Sequence, residues 1–208
     1  MLLDVRNLVR AFGPRRLFGP LSFQVPEGRV LGVAGSNGAG KTTLVKTLVG
    51  LQRPNGGTVA IATSREPGSP MASPLDAPWS LGWVAPDLSL YGELTAVENL
   101  SFFARVKGDD PRPARIEGLI DDAGLDAKRV RDIPTRFLST GQRQRLKLVF
   151  GTLGDPLVLF LDEPTSNLDE AGRAVVEKLV ARQRRRGAVV LASNDARDLS
   201  LADEVVTL

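Results

Sequence analysis

The residues best suited to chemistry lie in Gly35-Ser-Asn-Gly-Ala-Gly-Lys-Thr-Thr43 and in Asp162-Glu163. The first stretch reads glycine, any four residues, Gly-Lys-Thr, between the apolar run Leu31–Ala34 and an apolar-periodic segment containing Leu44, Leu48 and Leu51. That is the strand, loop and helix context of a phosphate-binding loop. Glycines let backbone N–H groups turn inward around phosphate oxygens, and a helix opening near Gly40 adds the positive end of its dipole. Lys41 can reach the outer phosphates, and the Thr42 hydroxyl can bind magnesium. Asp162 and Glu163 follow the apolar run Leu157–Leu161, which suits the middle of a parallel sheet covered on both faces. Ligands bind at the carboxyl ends of such strands. Asp162 is then the magnesium-side carboxylate and Glu163 the base for water; a tight surface turn is the plainer alternative.

The elements that must position these groups follow from patterning. Leu2–Val9 and Leu21–Val25 read as strands around the turn Phe12-Gly-Pro-Arg15, and Thr58–Ala62 as a short strand after the turn Arg53–Gly57. Ser64–Pro78 is too rich in Pro, Ser and Gly for regular structure and reads as an exposed, mobile excursion. Trp79–Val84 restores a strand, with Trp83 packed. Thr95 and Glu98 mark a capped helix through Val106, and Ala114–Ala123 and Ala127–Ile133 read as two more helical pieces. Ser139 or Thr140 caps a helix carrying Leu146, Val149, Phe150 and Leu153, with Arg143, Arg145 and Lys147 toward water if the segment is an ordinary capped helix. Ala171–Arg184 is amphipathic and ends in Arg182, Arg184, Arg185 and Arg186, a basic tip that reads as solvated surface or as a contact for anionic lipid or a partner. Val189–Ala192 and Val205–Leu208 are the last strands.

Composition narrows the chemistry. The 208 residues contain no cysteine and no histidine, which removes thiolate, disulfide and imidazole chemistry and the ordinary zinc sites. A net charge of +3 from 27 basic and 24 acidic residues is a small excess, weak support for a nucleic-acid partner. No 18-residue apolar run and no secretory signal are present, so the chain is expected to fold in the cytoplasm without crossing a membrane.

Taken together, Gly35–Thr43, the segment Leu138-Ser-Thr-Gly-Gln142, the strand Leu157–Glu163 and Ser166-Asn-Leu-Asp169 resemble the Walker A loop, signature loop, Walker B strand and following loop of ABC transporter nucleotide-binding subunits. The resemblance implies a P-loop NTPase core of the ABC ATPase type: α/β, with a mostly parallel central sheet, an antiparallel β subdomain and a small inserted helical subdomain. A single domain over 1–208 then divides into 1–88, the β subdomain and nucleotide-loop half of the core; 89–138, the helical subdomain; and 139–208, the signature helix and the rest of the core. It implies ATP and Mg2+ as ligands. Gly35, Ser36, Asn37, Gly38, Ala39, Gly40, Lys41, Thr42 and Thr43 would surround the phosphates, Phe12 would stack on adenine, and Thr42 and Asp162 would hold the metal. Glu163, Lys41 and Asn194 would be catalytic. Ser139, Thr140, Gly141 and Gln142 would close over the ATP of a second subunit, and Asp169 would communicate across that interface. The partners implied are a second ATP-binding subunit, as a homodimer, and a transmembrane permease subunit at the cytoplasmic face of the cell membrane, with no nucleic acid. Leu90–Ala104 and the end at Leu208 are similar to the small ATP-binding subunit of the bacterial haem exporter of cytochrome c maturation.

Three positions depart from the family pattern. Asn194 stands where the switch histidine falls, Pro86 where a metal- and water-contacting glutamine falls, with Asp87 next to it as a substitute, and Thr140 where the signature has glycine. An amide donates a hydrogen bond but carries no proton for exchange. Slower hydrolysis follows as an expectation. The competing readings are a soluble nucleotide switch using Arg143, Arg145 and Arg182–Arg186 on nucleic acid or the ribosome, and a subunit that binds ATP but hardly hydrolyses it.

Overall fold

The computed structural model describes residues 1–208. Strands β1 (Leu3–Phe12) and β2 (Arg15–Val25) form a hairpin, followed by β3 (Val30–Ala34), helix α1 (Lys41–Leu48), β4 (Gly56–Ala62), β5 (Met71–Ala72) and β6 (Leu81–Val84). Helices α2 (Ala96–Val106), α3 (Pro113–Asp122), α4 (Ala127–Val130) and α5 (Thr140–Thr152) come next. The chain finishes with β7 (Val158–Asp162), α6 (Glu170–Gln183), β8 (Ala188–Ser193), α7 (Ala196–Leu199) and β9 (Glu204–Thr207).

The strands form two sheets, an antiparallel one ordered β2-β1-β4-β5 and one ordered β6-β7-β8-β3-β9 whose pairs are all parallel. Alternation along β7 explains its unbroken apolar run. Val158 and Phe160 pack with Leu44, Val45 and Leu48 of α1, while Leu159 and Leu161 pack with Leu148 of α5 and with Val176 and Val180 of α6. Each such side chain contributes about 1.5–3 kcal/mol by leaving water, and truncating the fully buried Phe160 to alanine would cost about 3–5 kcal/mol. A third cluster joins Leu100, Ile116, Ile120, Leu146 and Val149, so α5 packs on the sheet with one face and on α2 and α3 with the other. Thr95 and Glu98 form a reciprocal capping box at α2, and Ser139, rather than Thr140, forms one with Gln142 at α5.

Two expectations need correction. The second strand begins at Arg15, not Leu21, because the β1–β2 pairing absorbs the Gly19-Pro20 interruption through register shifts; at Gly19 an added Cβ would lie 2.2 Å from the Leu8 carbonyl oxygen, so only glycine fits the crossing. Ser64–Pro78 is not an irregular excursion throughout. Met71–Ala72 pairs with the end of β4, Ala77 is buried, and Arg65 donates to the carbonyls of Arg186 (2.9 Å) and Asp155 (3.0 Å) while pairing with the Asp155 carboxylate. Local composition could not reveal that clasp, since its partners lie about a hundred residues away in sequence.

Candidate nucleotide site

The parallel sheet sets the site at the carboxyl ends of three neighbouring strands. Ala34 of β3 pairs with Ser193 of β8, and Asp162 of β7 pairs with Ala192. Gly35, Glu163 and Asn194 therefore leave the sheet side by side. The loop that follows β3 turns through left-handed backbone at Gly38 (φ 83°) and Gly40 (φ 106°). At Gly40 an added Cβ would also lie 2.8 Å from the Leu17 side chain, so both conformation and packing require glycine. No side chain caps α1. Its first-turn N–H groups are left for an anion.

Lys41 is buried, 6% exposed, and its ammonium donates to the Gly35 carbonyl at 2.8 Å and lies 3.2 Å from the Glu163 carboxylate. Glu163 itself adopts left-handed backbone (φ 47°), an uncommon and costly conformation for a residue with a side chain. Its N–H donates to Ala192 O at 2.8 Å, which ties the residue to the end of β8. Behind it, the Ser193 and Thr165 hydroxyls both lie 2.8 Å from one oxygen of the buried Asp198 carboxylate. Arg173 pairs with Asp195 at 2.8 Å and approaches Asp198 at 3.9 Å. This cluster joins the loop after β7 to the loop after β8.

Asp162 is fully buried, and neither carboxylate oxygen has a hydrogen-bond partner. Burial pushes its carboxyl above the usual range, and the nearby Thr42 hydroxyl and Lys41 offset only part of that. A buried carboxylate with free lone pairs beside a hydroxyl suits a divalent cation that takes its other ligands from phosphate and water. No group of three or more His, Cys, Asp or Glu side chains converges to hold a metal by itself, so Thr42 and Asp162 fit magnesium only as part of a nucleotide complex.

A cavity of about 330 Å3 is lined by Phe12, Leu17, Asn37, Gly38, Gly40, Lys41, Thr42, Thr43 and Glu163. It unites the exposed hairpin-tip aromatic with the phosphate loop and the carboxylate. Asn194 adjoins it, its amide donating to Asn37 Oδ1 at 2.9 Å. Ser36 and Ala39 complete the turn, Ala39 N–H donating to Ser36 O at 3.1 Å. The segment 139–142 is elsewhere: Ser139, Gly141 and Gln142 line a separate cavity of about 670 Å3 with Arg129, Arg145, Asn167 and Asp169. The Thr140 hydroxyl accepts from Arg143 at 3.4 Å. Within one chain, the two loops do not meet.

The basic residues are not free in solution. Arg143 donates to Leu138 O at 2.6 Å, Lys147 to Pro86 O at 2.7 Å, and Arg145 to Gly124 O at 2.8 Å while pairing with Asp169. The N–H of Gly172 and then Arg145 hold the Asp169 carboxyl below the usual range. Arg182, Arg184 and Arg186 pair with Asp122, Asp203 and Asp155. Asp87, next to Pro86, pairs with Lys46 of α1 and does not line the cavity at the phosphate loop. Leu17, Arg173 and Asp198 escaped the sequence reading. Asp195 before Ala196 carries an N-cap signal, and the other contacts depend on the packing of distant segments.

The family model described as ABC transporter matches residues 18–166. The chain belongs to the ABC transporter family. It carries an ABC ATPase domain, an ATP-binding unit whose family fold is the one described above. The chain is 38% identical to ATP-binding cassette sub-family A member 9 of Mus musculus, covering 98% of this chain and 13% of that protein. It is 33% identical to the cytochrome c biogenesis ATP-binding export protein CcmA of Pseudomonas aeruginosa, covering 98% of each. A solved ATP-binding subunit of an ABC transporter superposes with a TM-score of 0.86 at 25% identity, covering 100% of this chain and 86% of that one. Several relatives are much longer, the ABC domain here spanning from 9% to 61% of their length.

Proposed function

We propose that this chain hydrolyses ATP as the nucleotide-binding subunit of a membrane exporter, by closing against a second copy of itself. The observation that carries the reading is the Asp162–Glu163 pair at the mouth of the phosphate loop: one carboxylate buried without partners, the other ion-paired to Lys41. On this reading the triphosphate enters the cradle of Gly35–Thr43, and Lys41 turns its ammonium from Glu163 toward the outer phosphates. Glu163, released from that pair, orients a water and takes its proton as the water oxygen attacks phosphorus and ADP leaves. Magnesium held by Thr42 and Asp162 supplies charge neutralisation at the phosphate oxygens. Phe12 stacks on the base, and Asn194 donates a hydrogen bond to the terminal phosphate in place of Asn37.

Closure of two copies is supported by the separation of the cavities. Ser139, Thr140, Gly141 and Gln142 crown α5 with helix N–H groups but face no phosphate loop of their own chain. A second subunit can bring its triphosphate there, with Asp169 beside it. We place the permease contact at Pro86–Phe103, where Tyr91 and Phe102 are exposed and Tyr91, Phe102, Phe103 and Phe150 form one aromatic cluster. No helix is long and apolar enough to cross a membrane; on this reading attachment at the cytoplasmic face runs through the permease. Functional units at 1–88, 89–138 and 139–208 fit this motion. The full-length match to a cytochrome c biogenesis export protein makes haem the first cargo to test.

A slowly hydrolysing subunit is the second reading. It is favoured by Asn194, whose amide replaces an ionisable group, and by Pro86, which offers only its carbonyl, already taken by Lys147. The deciding experiment is ATP turnover by wild type and Glu163→Gln, with size-exclusion analysis in ATP and magnesium. Turnover lost in the variant, with an ATP-dependent dimer, supports the proposal. Wild-type turnover no faster than the protein-free background, with ATP still bound, would overturn hydrolysis in favour of binding alone.

A further inference from the structure

Phe12 is 53% exposed at the tip of the β1–β2 hairpin and lies outside the core clusters, yet its ring lines the nucleotide cavity. A ring so placed loses rotational freedom whenever a ligand stacks on it, and that lost entropy weakens binding unless something has ordered it beforehand. Arg10 is placed to do this. Its guanidinium carbon lies 4.6 Å from the centroid of the Phe12 ring, within reach of a cation–π contact. The guanidinium is itself held, Nη1 donating to Arg53 O at 2.8 Å and reaching Asn55 Oδ1 at 3.5 Å.

The grip extends to the backbone. Asn55 Oδ1 accepts the Ala11 N–H at 2.8 Å, and Asn55 N–H donates to Val9 O at 2.9 Å. The turn that follows α1 thus clasps both sides of Arg10 just before Phe12. Arg10 gives its hydrogen bonds to a carbonyl and an amide rather than to a carboxylate, which leaves its charge available to the ring.

We propose that Arg10, anchored by Arg53 and Asn55, is a positioning residue that backs one face of Phe12 and pre-orders its ring for the nucleobase. The proposal rests on the reading of Phe12 as the base-stacking residue. It adds a specific consequence: Arg10 strengthens binding through the base, while the phosphate cradle, built on β3 and α1, is independent of it.

The experiment measures calorimetric affinity for ATP and for inorganic tripolyphosphate, each with magnesium, together with steady-state turnover. Arg10→Ala is expected to weaken ATP binding roughly threefold to tenfold, to raise KM with kcat unchanged, and to leave tripolyphosphate affinity unaltered. Unaltered tripolyphosphate binding also establishes that the variant folds. Asn55→Ala should act in the same direction, Arg10→Lys should restore part of the loss, and Arg10→Ala should have no further effect in a Phe12→Ala background. If Arg10→Ala weakened both ligands equally, or left ATP affinity intact while Phe12→Ala reduced it, the positioning role would be wrong. If Phe12→Ala itself left ATP affinity intact, the base-stacking reading would fall and the proposal with it.

Discussion

Replacing Glu163 by glutamine separates the structural from the chemical role of one carboxylate. Lys41 and Glu163 have side-chain exposures of 6% and 23% and lie 3.2 Å apart. At an effective dielectric of about 20 their attraction is about 5 kcal/mol, but the net value is smaller because both groups were desolvated to meet. Breaking a buried pair costs about 3–5 kcal/mol when one charge is stranded. Here Lys41 keeps the Gly35 carbonyl, the glutamine oxygen can still accept, and Glu163 is partly solvated. The expected cost to the nucleotide-free protein is therefore about 1–2 kcal/mol, a fall in Tm of about 2–8 °C for a chain of this size. ATP affinity should hold or rise, because the triphosphate no longer competes with a carboxylate for Lys41. Turnover should fall about 10²- to 10⁴-fold with loss of the base. Thermal unfolding with and without ATP, equilibrium ATP binding and phosphate release read these quantities. A folded variant that binds ATP and turns over within about threefold of wild type would refute Glu163 as the base.

Three further outcomes test other parts. Asn194→His restores an ionisable donor beside Asn37 and should raise kcat, by up to about tenfold to a hundredfold if a positioned acid–base group is what is missing; unchanged phosphate release would show that the amide suffices. Lys107 has its pKa pushed down to about 8, from the ordinary 10.5, by burial, with Asp109 opposing. The unfolded state then binds more protons between about pH 8 and 10.5, so this group makes stability rise with pH there, by at most about 1.4 kcal/mol per unit, and the gain vanishes as pH falls through 8. Lys107→Met should abolish that slope in urea unfolding; an identical pH profile would count against the burial. Ser139→Ala removes half of the reciprocal cap on α5 and should lower nucleotide-free stability by about 1 kcal/mol, read as midpoint denaturant concentration, an effect that Ser139→Thr should largely spare.

How much was legible depended on the range of the interaction. The capping box at Thr95, a cap at Ser139 or Thr140, the strand before the phosphate loop and the helix after it all follow from residues within a turn of one another, and the structure has them, with Ser139 as the cap. The contacts of Arg145 and Lys147 were not legible for the opposite reason: their acceptors, Gly124 O, the Asp169 carboxylate and Pro86 O, lie on distant segments. The same applies to Arg65, whose acceptors turn a Pro- and Ser-rich segment into a clasped one. The basic tip at Arg182–Arg186 reads from sequence as solvated surface or as a contact for an anionic partner, and the structure adds that Arg182, Arg184 and Arg186 pair with Asp122, Asp203 and Asp155.

By itself, the sequence determined a phosphate-loop pattern and an apolar strand ending in a carboxylate pair, because glycine spacing, Gly-Lys-Thr and a strand ending in Asp-Glu are local patterns with few other physical uses. Only the tertiary structure decided which groups share that site. Strand order sets β8 between β7 and β3 and so brings Asn194 to Asn37 and Glu163 to Lys41. The same packing puts Arg10 under Phe12 and holds the loop before α5 away from its own phosphate loop. Those outcomes come from burying the faces of two sheets and seven helices together, and no residue encodes them alone.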